Sequence, residues 1–252
     1  MTVKKFKLLL WTITLIVVVA SCIIRFTPFA YDVVETSEYD FSGHNISEIN
    51  VDVDLADLNI EYGSEFKVNI NDCQKIIEPK VTLNEGKLEI TQKNSVNVRY
   101  FKDCQIKIVL PKGTTISSAH ITASAGDIDI EGVSFDSLNI DADAGDIDIN
   151  NANGNSLDIV ADAGDVDVTK SAFEKVKVST DLGAVKMEDV SGVSGTFTAD
   201  MGSIDVQGDF EKITASCELG DIDITVPDAN KVTFDLDCEL GSINVNGSSW
   251  KK

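Results

Sequence analysis

The stretch Ile140-Asp141-Ala142-Asp143-Ala144-Gly145-Asp146-Ile147-Asp148-Ile149 returns nineteen residues later as Ile159-Val160-Ala161-Asp162-Ala163-Gly164-Asp165-Val166-Asp167-Val168. The same pattern recurs around glycines at 126, 145, 164, 183, 202, 220 and 241, spaced 19, 19, 19, 19, 18 and 21 residues apart. A fixed period of this length is the mark of a solenoid. Within each copy apolar and polar residues alternate, which is a strand pattern, and a Gly-Asp step interrupts it. On this alternation Ile140, Ala142 and Ala144 face inward before the glycine and Ile147 and Ile149 after it. The glycine step therefore reads as a kink between two short strands.

Aligning the copies exposes the interior. Three residues before the glycine stand Ala123, Ala142, Ala161, Thr180, Ala199, Cys217 and Cys238, a column of small side chains. Two residues after it stand Ile128, Ile147, Val166, Val185, Ile204, Ile222 and Ile243, and two further on Ile130, Ile149, Val168, Met187, Val206, Ile224 and Val245. A sandwich has no reason to repeat alanine at one offset and isoleucine at another. No amphipathic helix is visible, so the expected fold is all-β, a parallel β-helix or β-solenoid with rungs of about 19 residues, wound right-handed by default. Seven rungs at about 4.8 Å make a rod roughly 30 Å long. No single rung would fold alone.

Residues 49–118 form a non-repetitive β N-terminal part or cap, before a repeat region over 119–247 and a tail over 248–252. Ile49 to Ile60 reads as a degenerate rung with Ala56 in place of the glycine. Val81-Thr82-Leu83 and Lys87-Leu88-Glu89-Ile90 read as a hairpin through Asn84-Glu85-Gly86. Trp250 folds over the last rung, or another molecule covers that end.

At the N-terminus Lys4, Lys5 and Lys7 precede an uncharged run from Leu8 to Ile24, closed by Arg25. The run predicts an N-terminal transmembrane helix within residues 1–25, with the N-terminus cytoplasmic and the body on the extracytoplasmic side of a cell membrane. Val19-Ala20-Ser21-Cys22 resembles a lipobox, which makes Cys22 a lipidation candidate and a lipoprotein the alternative to an uncleaved anchor; cleaved secretion is a third route. Residues 26–48 read as a polar linker.

The residues after Arg25 hold 17 basic and 42 acidic side chains, a net charge of −25. Nucleic acid is excluded as a partner, since it demands a basic face. The carboxylates are ordered into columns, among them Asp127, Asp146 and Asp165 directly after the glycine and Asp129, Asp148 and Asp167 two further on. Like charges stacked at strand spacing repel. One reading is a solvated face that keeps strand edges from aggregating; the other is low-affinity calcium held by these six aspartates. No other cofactor is called for.

Cys217 and Cys238 share an inward column and read as free core thiols. Cys73 and Cys104 both stand in Asp-Cys-Gln and flank the hairpin; a bridge there would close a long loop, and the residues alone lean against it. No catalytic residues are identified: His44 and His120 lack a nucleophile partner, and Arg25 and Arg99 are the only arginines. A carbohydrate-active enzyme on a β-helix is the alternative to a non-catalytic interaction protein.

The lysine-led anchor, the strand Ile106-Lys107-Ile108-Val109-Leu110 closed by Pro111-Lys112-Gly113, and the Ala-Gly-Asp-Ile-Asp-Ile repeats together resemble the bacterial putative-adhesin family of domains of unknown function, which includes LiaG-like membrane-anchored proteins. The resemblance covers roughly residues 45–247. It implies a surface-displayed β-solenoid that binds an envelope component or protein, beside cell-envelope stress systems, and offers no functional residues to carry over.

Overall fold

Each repeat folds as a long arm, a bend at the glycine, a short arm and a second bend. The computed structural model describes residues 36–73, 77–93 and 104–250 of the chain. The repeat strands are β8 (Thr115–Ala123), β9 (Ile128–Glu131), β10 (Ser134–Ala144), β11 (Ile147–Asn150), β12 (Asn153–Ala163), β13 (Val166–Thr169), β14 (Ala172–Leu182), β15 (Val185–Met201), β16 (Ile204–Leu219), β17 (Ile222–Thr225), β18 (Thr233–Leu240) and β19 (Ile243–Val245). Long arms stack in parallel register on long arms, as Ile140 on Ile121 and Ile159 on Ile140, and short arms on short arms, as Ile147 on Ile128 and Val166 on Ile147. In β15 and β16 the short arm and the next long arm run on as one strand. The second bend carries left-handed backbone at Gly132, Asn151, Lys170 and Asp189, with φ of 72°, 55°, 46° and 55°. Three of those four residues are of the types that tolerate it best.

The expected interior columns are buried: Ile128, Ile147, Val166, Val185, Ile204 and Ile222 are no more than 1% exposed. Another column crosses the other end of the long arm. Phe135 pairs with Gly154, Gly154 with Phe173, and Gly192 with Phe210. A Cβ on Gly154 would lie 2.1 Å from the Phe135 carbonyl oxygen and 2.9 Å from the Phe173 ring. The absent side chain therefore makes room for the neighbouring ring, and large alternates with small along the rod as close packing requires.

The bend itself departs from strict alternation. Ala142 is 2% exposed, but Ala144, expected to face inward, is exposed, and so are its equivalents Leu182, Met201, Leu219 and Leu240. The last inward residue is thus three before the glycine. The reason lies in the backbone: a Cβ on Gly145 would sit 2.2 Å from the Gly126 carbonyl oxygen, and the same approach recurs up the rod. Glycine on glycine lets the chain turn outward one step early.

The solenoid extends beyond the seven repeats. β2 (Glu48–Val53) and β3 (Asp57–Gly63) form the degenerate rung, with Ala56 opposite Gly126. β6 (Lys87–Gln92) and β7 (Gln105–Pro111) form a further parallel rung on its other side, so the first rung in sequence is not the first in space. Beyond that rung the direction reverses. β5 (Lys80–Asn84) lies antiparallel on β6 through the expected turn at Glu85 and Gly86, and β4 (Lys67–Asn71) lies antiparallel on β7. Reversed strands end the coil and shield its edge.

Residues 36–40, assigned to the linker from sequence, form β1 (Thr36–Asp40), antiparallel to β4. A polar strand on an edge draws its pairing from backbone groups, to which hydropathy is blind. Cys73 and Cys104 are bridged, against the lean of the sequence, and the register explains it: β4 and β7 pair Asn71 with Gln105, which brings the two cysteines together just beyond the paired ends. At the far end β20 (Ser248–Ser249) pairs antiparallel with β19, and Trp250 packs against Phe234 with ring centroids 5.3 Å apart. The lysines at 4, 5 and 7, the apolar run 8–24 and Cys22 lie outside the described residues. Among the described residues no helix is long and apolar enough to cross a membrane.

Candidate functional site

The ordered carboxylates are the most distinctive chemistry on the surface, and the glycine bend places them. Where the chain turns outward, the N–H after the glycine leaves the strand ladder and needs another acceptor. The aspartate of the preceding rung supplies it. Asp57 Oδ1 accepts from Asp127 N at 3.1 Å, Asp127 Oδ1 from Asp146 N at 3.0 Å, Asp146 Oδ1 from Asp165 N at 2.9 Å and Asp165 Oδ1 from Ala184 N at 2.8 Å. After Ala184, Ser203 Oγ accepts from Asp221 N, and Asp221 Oδ1 accepts from both Ser242 N and Ser242 Oγ. The Ser242 hydroxyl, and then its N–H, hold the Asp221 carboxyl below the ordinary range. This ladder is the offset to like-charge repulsion that the sequence demanded: each negative charge sits on an N–H dipole.

Among the described residues the short-arm column has no such backbone N–H ladder, although Asp223 accepts from Asn244 Nδ2 at 2.9 Å. Asp129, Asp148 and Asp205 have pKa values above the ordinary carboxylate range, chiefly because partial burial disfavours the charged form. Neighbouring carboxylates add to it: Asp127 and Asp57 around Asp129, Asp167 and Asp129 around Asp148, and Asp223 beside Asp205. Lys186 stands in the same column between Asp167 and Asp205, relieves Asp205, and pairs with Glu188 at 3.1 Å.

The six calcium candidates therefore form two neighbouring columns with different bonding. Asp127, Asp146 and Asp165 each commit one oxygen to a backbone N–H; Asp129, Asp148 and Asp167 line a shallow concavity of about 510 Å³ with Asn59, Glu61 and Asn150. Among the described residues no three acidic, histidine or cysteine side chains converge in a way that would hold a metal ion. A second concavity, about 310 Å³, is lined by Asp57, Asp127, Asp129 and one base, Lys107, whose ammonium pairs with Glu61 at 3.0 Å.

His44 lies in an exposed turn with Nδ1 3.2 Å from the Phe41 carbonyl oxygen, and His120 is exposed on β8; the structure brings neither to a nucleophile. Cys217 and Cys238 are free and adjacent in register. Each thiol donates to the carbonyl of a bend glycine, Cys217 to Gly202 at 3.2 Å and Cys238 to Gly220 at 3.3 Å, as the Thr180 hydroxyl does to Gly183 at 3.0 Å. The thiols reach the glycine of the preceding rung and the Thr180 hydroxyl that of its own, so in both arrangements a bend carbonyl accepts from the polar side chain that replaces alanine in this column. Burial pushes both thiols up, so they are poor nucleophiles.

The surface as a whole is thus a set of straight, registered stripes: an acidic ladder at the bend, an acidic short arm, and the outward aliphatic column beside the glycines. Straight stripes suit extended recognition of a partner.

The fold is shared with crystal structures of putative adhesins. One from Bacteroides fragilis NCTC 9343 matches at TM-score 0.60 and 16% identity, covering 84% of this chain and 97% of that one. Another, from Parabacteroides distasonis ATCC 8503, matches at TM-score 0.57 and 16% identity over the same shares. No curated protein matches the chain. A family model described as Toastrack DUF4097 matches residues 46–251, and the chain belongs to that family.

Proposed function

We propose that this chain is a non-catalytic interaction protein of the adhesin type, tethered in the cell membrane by residues 8–24 and displaying its solenoid outside the cell, where it binds an envelope component. The observation that carries the reading is the arrangement of the outer surface as registered stripes of like side chains along the rod, from Asp57 through Asp165 and from Leu182 to Leu240. The Cys73–Cys104 bridge supports export, since such bonds persist in oxidising compartments. The structural neighbours named as putative adhesins agree with a binding role. A part in envelope stress sensing belongs to this proposal on the sequence resemblance to LiaG-like proteins alone.

The test is to tag the full-length chain, recover it from membranes with its bound envelope material, and assay the same preparation for glycan turnover. A specific retained component with no turnover supports the proposal. Turnover of an envelope glycan would replace it with the carbohydrate-enzyme reading.

A further inference from the structure

The positions just before the ladder glycines form a column that changes character along the rod. It begins with Ala125, Ala144 and Ala163 and continues as Leu182, Met201, Leu219 and Leu240, each in register with the next from Ala144 onward. The four large side chains are 47%, 52%, 51% and 67% exposed. They are four of the six large apolar residues that stand exposed among the described residues. At about 4.8 Å per rung they make a continuous ridge about 14 Å long. Scattered apolar residues on a surface need no explanation, but an unbroken row of them does. Alongside the ridge, one position earlier in each rung, run Asp181, Asp200, Glu218 and Glu239.

We infer that this ridge is the docking site for a cationic amphipathic helix of a partner protein, an inference that rests on the interaction reading above. Spacing selects a helix. Apolar residues at i, i+3 or i+4 and i+7 advance about 4.5–6 Å per step along a helix axis, which keeps pace with the rungs, whereas same-face residues of a strand advance about 6.7 Å and fall out of step. Charge selects its sign: a row of carboxylates beside the aliphatic row matches lysines or arginines flanking the apolar face of the helix. A second copy of this chain is a poor occupant, because it brings a body of the same strong negative charge and lays carboxylates against carboxylates.

The test immobilises the full-length chain in zwitterionic lipid nanodiscs, with empty nanodiscs as the reference. The probe is a 14-residue peptide with leucines at i, i+4, i+7 and i+11 and lysines on the flanks, read against a scrambled peptide of the same composition and one with glutamate for lysine. The helical Leu/Lys peptide is expected to bind at least tenfold tighter than the scrambled one, and the glutamate peptide not to bind. Leu182→Ser with Leu219→Ser should remove that tenfold preference while the unfolding midpoint holds, since both side chains project into solvent. Equal binding of helical and scrambled peptides, or an unchanged preference in the double variant, would overturn the assignment. So would a wild-type dimer in sedimentation that the double variant abolishes, which would make a second copy the occupant. If the double variant still retains the envelope component captured by the wild type, the ridge is not its site and the interaction reading survives without it.

Discussion

Gly164→Ala is the sharpest perturbation of the coil. A Cβ there would lie 2.1 Å from the Gly145 carbonyl oxygen and 2.7 Å from its carbon, both backbone atoms of the rung below, on a residue whose φ is +142°. Neither neighbour can rotate away, so the two rungs must part by about 1 Å to reach ordinary contact distances. That opening weakens three bonds: Gly145 N to Ala163 O at 3.0 Å, Ile147 N to Asp165 O at 2.9 Å, and Asp165 N to Asp146 Oδ1 at 2.9 Å. At about 0.5–1.5 kcal/mol for each bond, and about 1–3 kcal/mol for the backbone strain, the loss comes to roughly 4 kcal/mol. That is a large share of the ~5–15 kcal/mol by which domains are stable. Two controls divide the effect. Gly113→Ala, with φ +83° and nothing within 4 Å, carries strain alone and should cost about 1 kcal/mol. Gly202→Ala has its Cβ 1.9 Å from the Gly183 carbonyl oxygen without a left-handed φ, so it carries the clash alone. Urea unfolding of the three variants reads all of this. Equal, small shifts for Gly164→Ala and Gly113→Ala would refute the close-stacked glycine ladder.

Three further outcomes follow from the same geometry. Reducing the Cys73–Cys104 bridge, which spans 31 residues and pins β4 to the end rung, should lower stability by about 4 kcal/mol on the chain-entropy estimate; a denaturation curve that is the same with and without reductant would contradict the capping role. Asp148 has a raised pKa in the folded state, so its contribution to stability is present at low pH and is lost as pH rises through that value. Asp148→Asn should therefore raise the urea midpoint at pH 7, with the gain shrinking as pH falls and gone only below 3.8, the ordinary carboxylate value; a gain that ignores pH would count against the repulsive short-arm column. Because Asp127, Asp146 and Asp165 hold backbone N–H groups, replacing calcium by a chelator should leave the thermal midpoint where it was, and a drop of several degrees would reinstate the six aspartates as calcium ligands.

Much of this architecture was legible because the repeat writes every column out several times. Ile128, Ile147 and Val166 at one offset, and Ala142 and Ala161 at another, mark the interior with no need for coordinates, and Ala56 betrays the degenerate rung by replacing a single glycine. Alternation misplaced Ala144 because it counts residues and cannot see a backbone turning early. A signal was nevertheless present: a column running Ala125, Ala144, Ala163, Leu182, Met201, Leu219, Leu240 mixes sizes too freely for an interior slot. The Phe135, Gly154, Phe173, Gly192, Phe210 alternation was equally open to reading at a spacing of 18 to 19 residues. The Asp57-to-Asp165 ladder was seen as carboxylates but not as acceptors, because the N–H they satisfy is orphaned only once the bend is known. The β5–β6 hairpin was legible from its local turn, whereas β1 and the reversed strand β4 belong to pairings between distant segments, and with them the disulfide, which depends on the antiparallel register of β4 and β7.

The stacking itself is best tested by distances along one outward column. Spin labels at positions 143 and 239, in a chain whose native cysteines outside the Cys73–Cys104 bridge are replaced by alanine, stand five rungs apart. At about 4.8 Å per rung the expected separation is roughly 24 Å, with labels at 143 and 200 closer at about 14 Å. A separation that grows in proportion to rung number confirms the stacked coil; distances unrelated to it, or the same for both pairs, would contradict it.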